Sequence, residues 1–260
     1  MGKITEALGL TKKLKRPSLT SAIDPHIVTY YNPKSAVAEQ YRSMRTNIQS
    51  LSSENPPQAF IVSSSIHGEG KSTTATNLAV TMAQDRDKTI LLGDCDLRKP
   101  AIDQLLGLEP KFGLAEVLNE EVDLKEALVK TPIDNLVALP CGRIPPNPSE
   151  LLGSKKMSHL LVQLRSYFDY VILDTPPIIP LTDAGVLGAQ TDGALLVIQA
   201  YRTQREMVQR SYSLLARAGV KVLGFTLTSM RDFLPAYFSE YGYHYGYHYS
   251  YQYDYEKGRK

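Results

Sequence analysis

Six short apolar runs constrain this chain more than any other feature: AFIVSS (59–64), TILLGD (89–94), NLVALP (135–140), YVILD (170–174), GALLVIQA (193–200) and VKVLGFTLTS (220–229). They are rich in β-branched residues and continuous in apolarity rather than alternating, the pattern of strands covered on both faces. Between them, residues 72–85, 154–167, 182–190 and 203–217 have helical character. The resulting βαβα order predicts an α/β fold: a mostly parallel twisted sheet with helices on both faces and right-handed crossovers. In such sheets ligands bind at the carboxyl ends of the strands.

The remaining composition narrows the class. With 260 residues, 43% of them hydrophobic, the chain can bury one large α/β core or two small ones. A formal charge of +2 gives no reason to expect a nucleic-acid partner, although Lys12, Lys13, Lys15 and Arg16 form a local basic run. Cys95 and Cys141 are too few for a disulfide framework or a zinc site and are expected to be free thiols in a reducing cytosol. No apolar run approaches the roughly 18 residues of a membrane span, and the start MGKITEALG lacks a secretory core, so the chain is not expected to cross a membrane by itself. Gly2 is discounted as an acylation site because Glu6 stands where that signal wants Ser or Thr.

Three segments follow from the same reading. Residues 1–34 carry Pro17, Pro25 and Pro33 without sustained periodicity and read as an N-terminal arm. Residues 35–230 form the main domain, opening with a helix over 35–52 that has Ser35 as N-cap and ends before Pro56. Residues 231–260 hold nine of the sixteen tyrosines and almost no aliphatic residues, so they can build no core of their own. The alternation YGYHYGYHYSYQYDY has the period of a strand, but the composition predicts a flexible cluster.

SSSIHGEGKST (63–73) follows a strand and opens a helix, the context of a phosphate-binding loop. Backbone N–H groups around Gly68, Glu69 and Gly70 would form a concave nest at the positive end of the helix, with Thr73 in its first turn. Lys71 would reach the β and γ phosphates and the Ser72 hydroxyl would ligate Mg²⁺. Ser65 replaces the first glycine of the usual G-x-x-x-x-G-K-[ST] pattern. Asp94 and Asp96 end the next strand and Asp174 ends another; three acids at one sheet edge would repel unless a cation sits among them. Taken singly each acid reads as a turn residue; together with Lys71 and Ser72 they point to Mg²⁺·nucleotide chemistry in a P-loop NTPase-like fold. There is no N-K-x-D for guanine and no H-R-D or D-F-G set, which leaves ATP and excludes a eukaryotic-type kinase.

This combination resembles the bacterial tyrosine kinases (BY-kinases) of capsule and exopolysaccharide systems, of the two-protein CpsD/CapB type. The matching elements are G-E-G-K-S (Gly68 to Ser72), D-x-D-x-R (Asp94, Asp96, Arg98), the strand VILDTPP, E-x-x-R-x-x-R (Glu39, Arg42, Arg45), NPSELLGSKKM (147–157) and the terminal tyrosine cluster. The resemblance implies an ATP-dependent protein-tyrosine autokinase with Asp94 as general base, Asp96, Asp174 and Ser72 around Mg²⁺, and Lys71 on the transferred phosphoryl group. The acceptors implied are Tyr237, Tyr241, Tyr243, Tyr245, Tyr247, Tyr249, Tyr251, Tyr253 and Tyr255. It further implies a ring-shaped homo-oligomer bridged through Glu39, Arg42 and Arg45, phosphorylation in trans, a membrane adaptor of the polysaccharide co-polymerase type as activator, a cognate phosphotyrosine phosphatase, and a cytoplasmic place at the inner membrane face. His67, Gln199 and Thr228 depart from the family, which commonly has proline, arginine and asparagine there.

Two rival functions remain. A ParA/MinD-type ATPase switch would carry a signature lysine five residues before Lys71, where this chain has Ile66. A non-enzymatic scaffold, binding partners or metal through His244 and His248, leaves the acids unexplained.

Overall fold

The computed structural model describes residues 22–52, 54 and 56–229. The expected tyrosine cluster, Tyr237 to Tyr255, and the basic run lie outside the described residues. The chain divides into the units Met1–Ser229 and Met230–Lys260, and the described residues all belong to the first.

Seven strands form one sheet among the described residues: β1 (Ala59–Ser64), β2 (Ile90–Asp94), β3 (Val129–Lys130), β4 (Leu136–Leu139), β5 (Tyr170–Asp174), β6 (Ala194–Gln199) and β7 (Val222–Thr228), in spatial order β3-β4-β2-β5-β1-β6-β7. Every pairing is parallel except β3 with β4. The mostly parallel α/β architecture expected from the apolar runs is therefore present. β1, β2 and β5 are buried along their whole lengths. Their alternate residues feed two cores. Ile61, Leu91 and Leu173 pack on one face with Leu160, Leu161, Leu164 and Leu215, while Phe60, Val62, Leu92 and Ile172 pack on the other with Ile48, Leu78 and Met82.

The long helices supply those partners: α1 (Ala36–Ser50), α2 (Lys71–Ala83), α3 (Lys155–Tyr167) and α4 (Arg205–Arg217). Ser35 caps α1 by accepting from the Ala38 N–H at 3.1 Å, and Ser154 caps α3 by accepting from the Met157 N–H at 3.2 Å. α2 is buried from Thr74 to Ala83 because it lies between the sheet and α1.

Three features differ from the sequence reading. The run 220–229 looked covered on both faces, yet β7 is an edge strand with Phe225 and Leu227 half exposed. The antiparallel β3 and the short helices Ile102–Leu106, Leu114–Leu118, Leu124–Ala127 and Pro148–Leu152 gave no periodic signal because each is too short for one. The described part of the segment read as an arm packs on the domain. Ile23 and Ile27 are buried beside α2, and Thr29 donates its N–H and hydroxyl to Asn77 Oδ1 at 3.1 and 2.9 Å.

Candidate functional site

The predicted phosphate loop joins β1 to α2. Gly68 and Gly70 take φ of +81° and +89°, values L side chains rarely adopt, so the loop can turn back on itself only with glycine there. The Gly70 carbonyl accepts from the Thr74 N–H at 2.8 Å and starts the helix. Thr73 sits in the first turn with its carbonyl accepting from Asn77 Nδ2 at 2.9 Å.

Glu69 has a structural task that the motif does not announce. Its carboxylate is buried and accepts from the Ile66 N–H (2.7 Å), the Gln199 N–H (3.1 Å) and the Thr203 hydroxyl. Thr228 donates to the Glu69 carbonyl at 2.9 Å, and Arg202 Nη1 bridges the Gly68 carbonyl (3.1 Å) and Gln199 Oε1 (2.8 Å). The phosphate loop is thus laced to the ends of β6 and β7. Gln199 and Thr228, the two departures noted in the sequence, both take part in that lacing. His67 is exposed.

The three predicted acids converge. β2 and β5 are neighbours in register, with Asp94 opposite Asp174, which places both carboxylates at one strand-end edge. Lys71 Nζ lies 2.7 Å from Asp96 Oδ2 and 3.3 Å from Asp174 Oδ2, and the Ser72 hydroxyl donates to Asp174 Oδ2 at 2.5 Å. Asp94 Oδ2 accepts from the N–H groups of Ala101 (2.8 Å) and Ile102 (2.9 Å), and its Oδ1 accepts from the Asp96 N–H (3.2 Å). All three acids are buried.

Burial and then the charge of Asp174 push the Asp94 carboxyl up to about 7, against the pull of the Ile102 and Ala101 N–H groups and Lys71. Burial also raises Asp174, although Lys71 and Ser72 oppose it. For Lys71 burial would lower the ammonium, but Asp174 and Asp96 outweigh it and hold the charge. The lysine therefore acts as the cation that keeps the acids together.

Asp174 Oδ1 is buried and has no hydrogen-bond partner among the described residues, nor has the buried Ser65 hydroxyl. An orphaned carboxylate oxygen beside Asp96 and the Ser72 hydroxyl is a hard oxygen set suited to a divalent cation. No group of three or more His, Cys, Asp and Glu side chains is placed to hold a metal among the described residues, so nucleotide oxygens would have to complete the shell.

The other predicted residues behave differently. Glu39 and Arg42 pair with each other, Nε to Oε2 at 2.7 Å, and Arg42 also donates to the Pro33 carbonyl. Arg45 donates to the Thr81 carbonyl at 3.0 Å, docking α1 on the last turn of α2. Arg98 pairs with buried Asp183, a residue the sequence reading did not single out. Cys95 is a buried spacer whose thiol is pushed well up by burial, and burial pushes the Cys141 thiol up to about 12, so both are unreactive.

A protein-family model described as an AAA domain matches residues 60–209. The tyrosine-protein kinase YwqD of Bacillus subtilis (strain 168) is 39% identical over 228 residues, covering 88% of this chain and 94% of that protein. The tyrosine-protein kinase CpsD of Streptococcus agalactiae is 34% identical over 205 residues, 78% of this chain and 88% of its own length. Among solved structures, the kinase domain of the Escherichia coli tyrosine kinase ETK superposes with a TM-score of 0.77 at 28% identity, covering 93% of this chain and 91% of that one.

Proposed function

The chain belongs to the bacterial tyrosine-kinase family of the CpsD/CapB type, and from that premise we propose that it transfers the γ-phosphoryl group of ATP to the tyrosines of its own C-terminal cluster. One observation carries the reading: Lys71, Ser72, Asp96 and Asp174 meet within hydrogen-bond distance at the end of β1, β2 and β5, with Asp94 beside them.

The division of labour follows from those positions. Gly68, Glu69 and Gly70 offer backbone N–H groups to the phosphates, Glu69 doing so only through its main chain because its side chain is occupied. Asp96, Asp174 Oδ1 and the Ser72 hydroxyl would hold Mg²⁺, which when bound neutralises phosphate charge. Lys71, held here by Asp96 and Asp174, would with the cation in place be able to turn to the phosphate oxygens. A tyrosine Oη attacks the γ-phosphorus, the bond to the β,γ-bridging oxygen breaks, ADP leaves, and the phenolic proton passes to Asp94. Asp94 stands at the same strand-end edge as Asp174 and is left out of the Mg²⁺ set, which leaves its carboxylate to take that proton.

The acceptors are Tyr237, Tyr241, Tyr243, Tyr245, Tyr247, Tyr249, Tyr251, Tyr253 and Tyr255. Transfer runs in trans within a homo-oligomeric ring whose contacts include Glu39, Arg42 and Arg45; a neighbour would meet Arg42 and Arg45 already held by the Pro33 and Thr81 carbonyls, and Glu39 held by Arg42. No helix among the described residues is long and apolar enough to cross a membrane, and the chain works at the inner membrane face through a polysaccharide co-polymerase-type adaptor, opposed by a phosphotyrosine phosphatase. Ile66 in place of the signature lysine speaks against a ParA/MinD-type switch, and a scaffold has no use for the acid cluster.

Incubation with Mg·ATP, with and without the adaptor's cytosolic fragment, followed by phosphotyrosine mass spectrometry tests the reading. Phosphorylation of the cluster in the wild type and its loss in Lys71→Ala are expected; equal labelling of both would refute it.

A further inference from the structure

Asp183 is wholly buried, carries a charge partner and takes no part in the chemistry above. It braces Arg98 along one edge: Arg98 Nε donates to Asp183 Oδ2 at 2.8 Å and Nη2 to Oδ1 at 3.2 Å. Ser149 donates to the same Oδ1 and lies 3.3 Å from both Arg98 Nη2 and the Thr182 hydroxyl. A planar guanidinium held at two points has a fixed orientation. Its remaining group, Nη1, has no hydrogen-bond partner among the described residues, and the Arg98 side chain is 39% exposed. Arg98 follows Asp96 by two residues, and the two charges interact.

This is the arrangement of an anion receptor set beside the catalytic acids. Lys71 serves the nucleotide side of the transfer. The product on the acceptor side is a phosphotyrosine carrying about −1.5 to −2 charge, which a fixed cation on the tyrosine side would stabilise. We infer that Arg98 receives the phosphoryl group on the tyrosine side, contacting it as the P–O bond to Oη forms and holding the phosphotyrosine product, with Asp183 and Ser149 as its positioning residues. The inference rests on the kinase reading. A purely architectural pair, tying the Pro148–Leu152 helix to the Asp183–Gly188 helix, would affect stability alone.

The full chain and its Arg98→Gln, Arg98→Lys and Asp183→Asn variants separate these roles. The measurements are phosphotyrosine formation at saturating Mg·ATP, nucleotide affinity, melting temperature and binding of O-phospho-L-tyrosine by calorimetry. In R98Q transfer should fall about a hundredfold, the scale for losing one preorganised charge-stabilising donor, while nucleotide affinity stays within about twofold. D183N should lose part of the rate, and both variants should lose phosphotyrosine affinity. Wild-type transfer and phosphotyrosine binding in R98Q, or losses that only track melting temperature and nucleotide affinity, would overturn the inference. If R98Q fails to fold, R98K decides: the charge remains but the two-point brace does not, so weakened phosphotyrosine binding supports the role and unchanged binding contradicts it. A wild-type chain that labels no tyrosine would defeat the kinase reading, whereas the phosphotyrosine titration still reports on Arg98.

Discussion

At the scale of single residues, the acids and the loop glycines were legible because strand ends and a Gly-rich turn are local signals. Asp94, Asp96 and Asp174 needed only the assignment of β2 and β5 for their convergence to follow. Glu69 and Asp183 were not legible in the same way. Glu69 reaches Thr203 across 134 positions and Asp183 reaches Arg98 across 85, and a non-local carboxylate clamp leaves no periodic mark in sequence. Ser65 was visible as a departure, but its consequence was not. Its buried hydroxyl has no partner among the described residues, so it carries a desolvation cost without a compensating bond. Ser65→Ala should therefore stabilise the protein by about 1 kcal/mol in denaturant unfolding and leave Mg·ATP affinity unchanged. Weakened nucleotide binding in that variant would instead make the hydroxyl a ligand donor.

At the scale of elements, the long helices and six of the strands were readable to within about two residues because their apolar runs and N-caps are self-contained. β3 and the short helices were not, since two to five residues cannot display a period. The lower end of the sheet shows how elements are tied without any motif. Asp192 accepts from the Gln58 and Ala59 N–H groups, both at 2.8 Å, and takes a two-point pair from Arg165 of α3 at 2.8 and 2.9 Å. Burial alone would raise its carboxyl, but Arg165 and the two N–H groups hold it below the ordinary range. A folded pKa below the unfolded value of about 3.9 means the contribution is complete above that value and is lost as pH falls through the folded one. Asp192→Asn should accordingly cost about 1–3 kcal/mol in unfolding at pH 7 and less once the pH has fallen below that folded value. An equal cost at both pH values would contradict the assignment.

At the scale of the whole molecule, the folded site of the first unit is followed in the chain by a tyrosine cluster known from the sequence. The glycines and polar residues between the tyrosines supply no competing core, and the phenols supply many equivalent acceptors. Each phosphate adds about −1.5 to −2 charge, so several would turn a chain of formal charge +2 strongly anionic and oppose assembly of the proposed ring. The proposed transfer in trans would link the residues of the site to that assembly, and a mixing experiment measures it. Full-length Lys71→Ala, inactive but with its tyrosines intact, is incubated with Mg·ATP, the adaptor fragment and an otherwise wild-type chain ending at residue 230. Phosphotyrosine should appear within Tyr237 to Tyr255 of the Lys71→Ala chain only when the truncated partner is present. A full-length wild-type chain that labels its own cluster under the same conditions, with no label on the Lys71→Ala chain in the mixture, would contradict transfer between subunits.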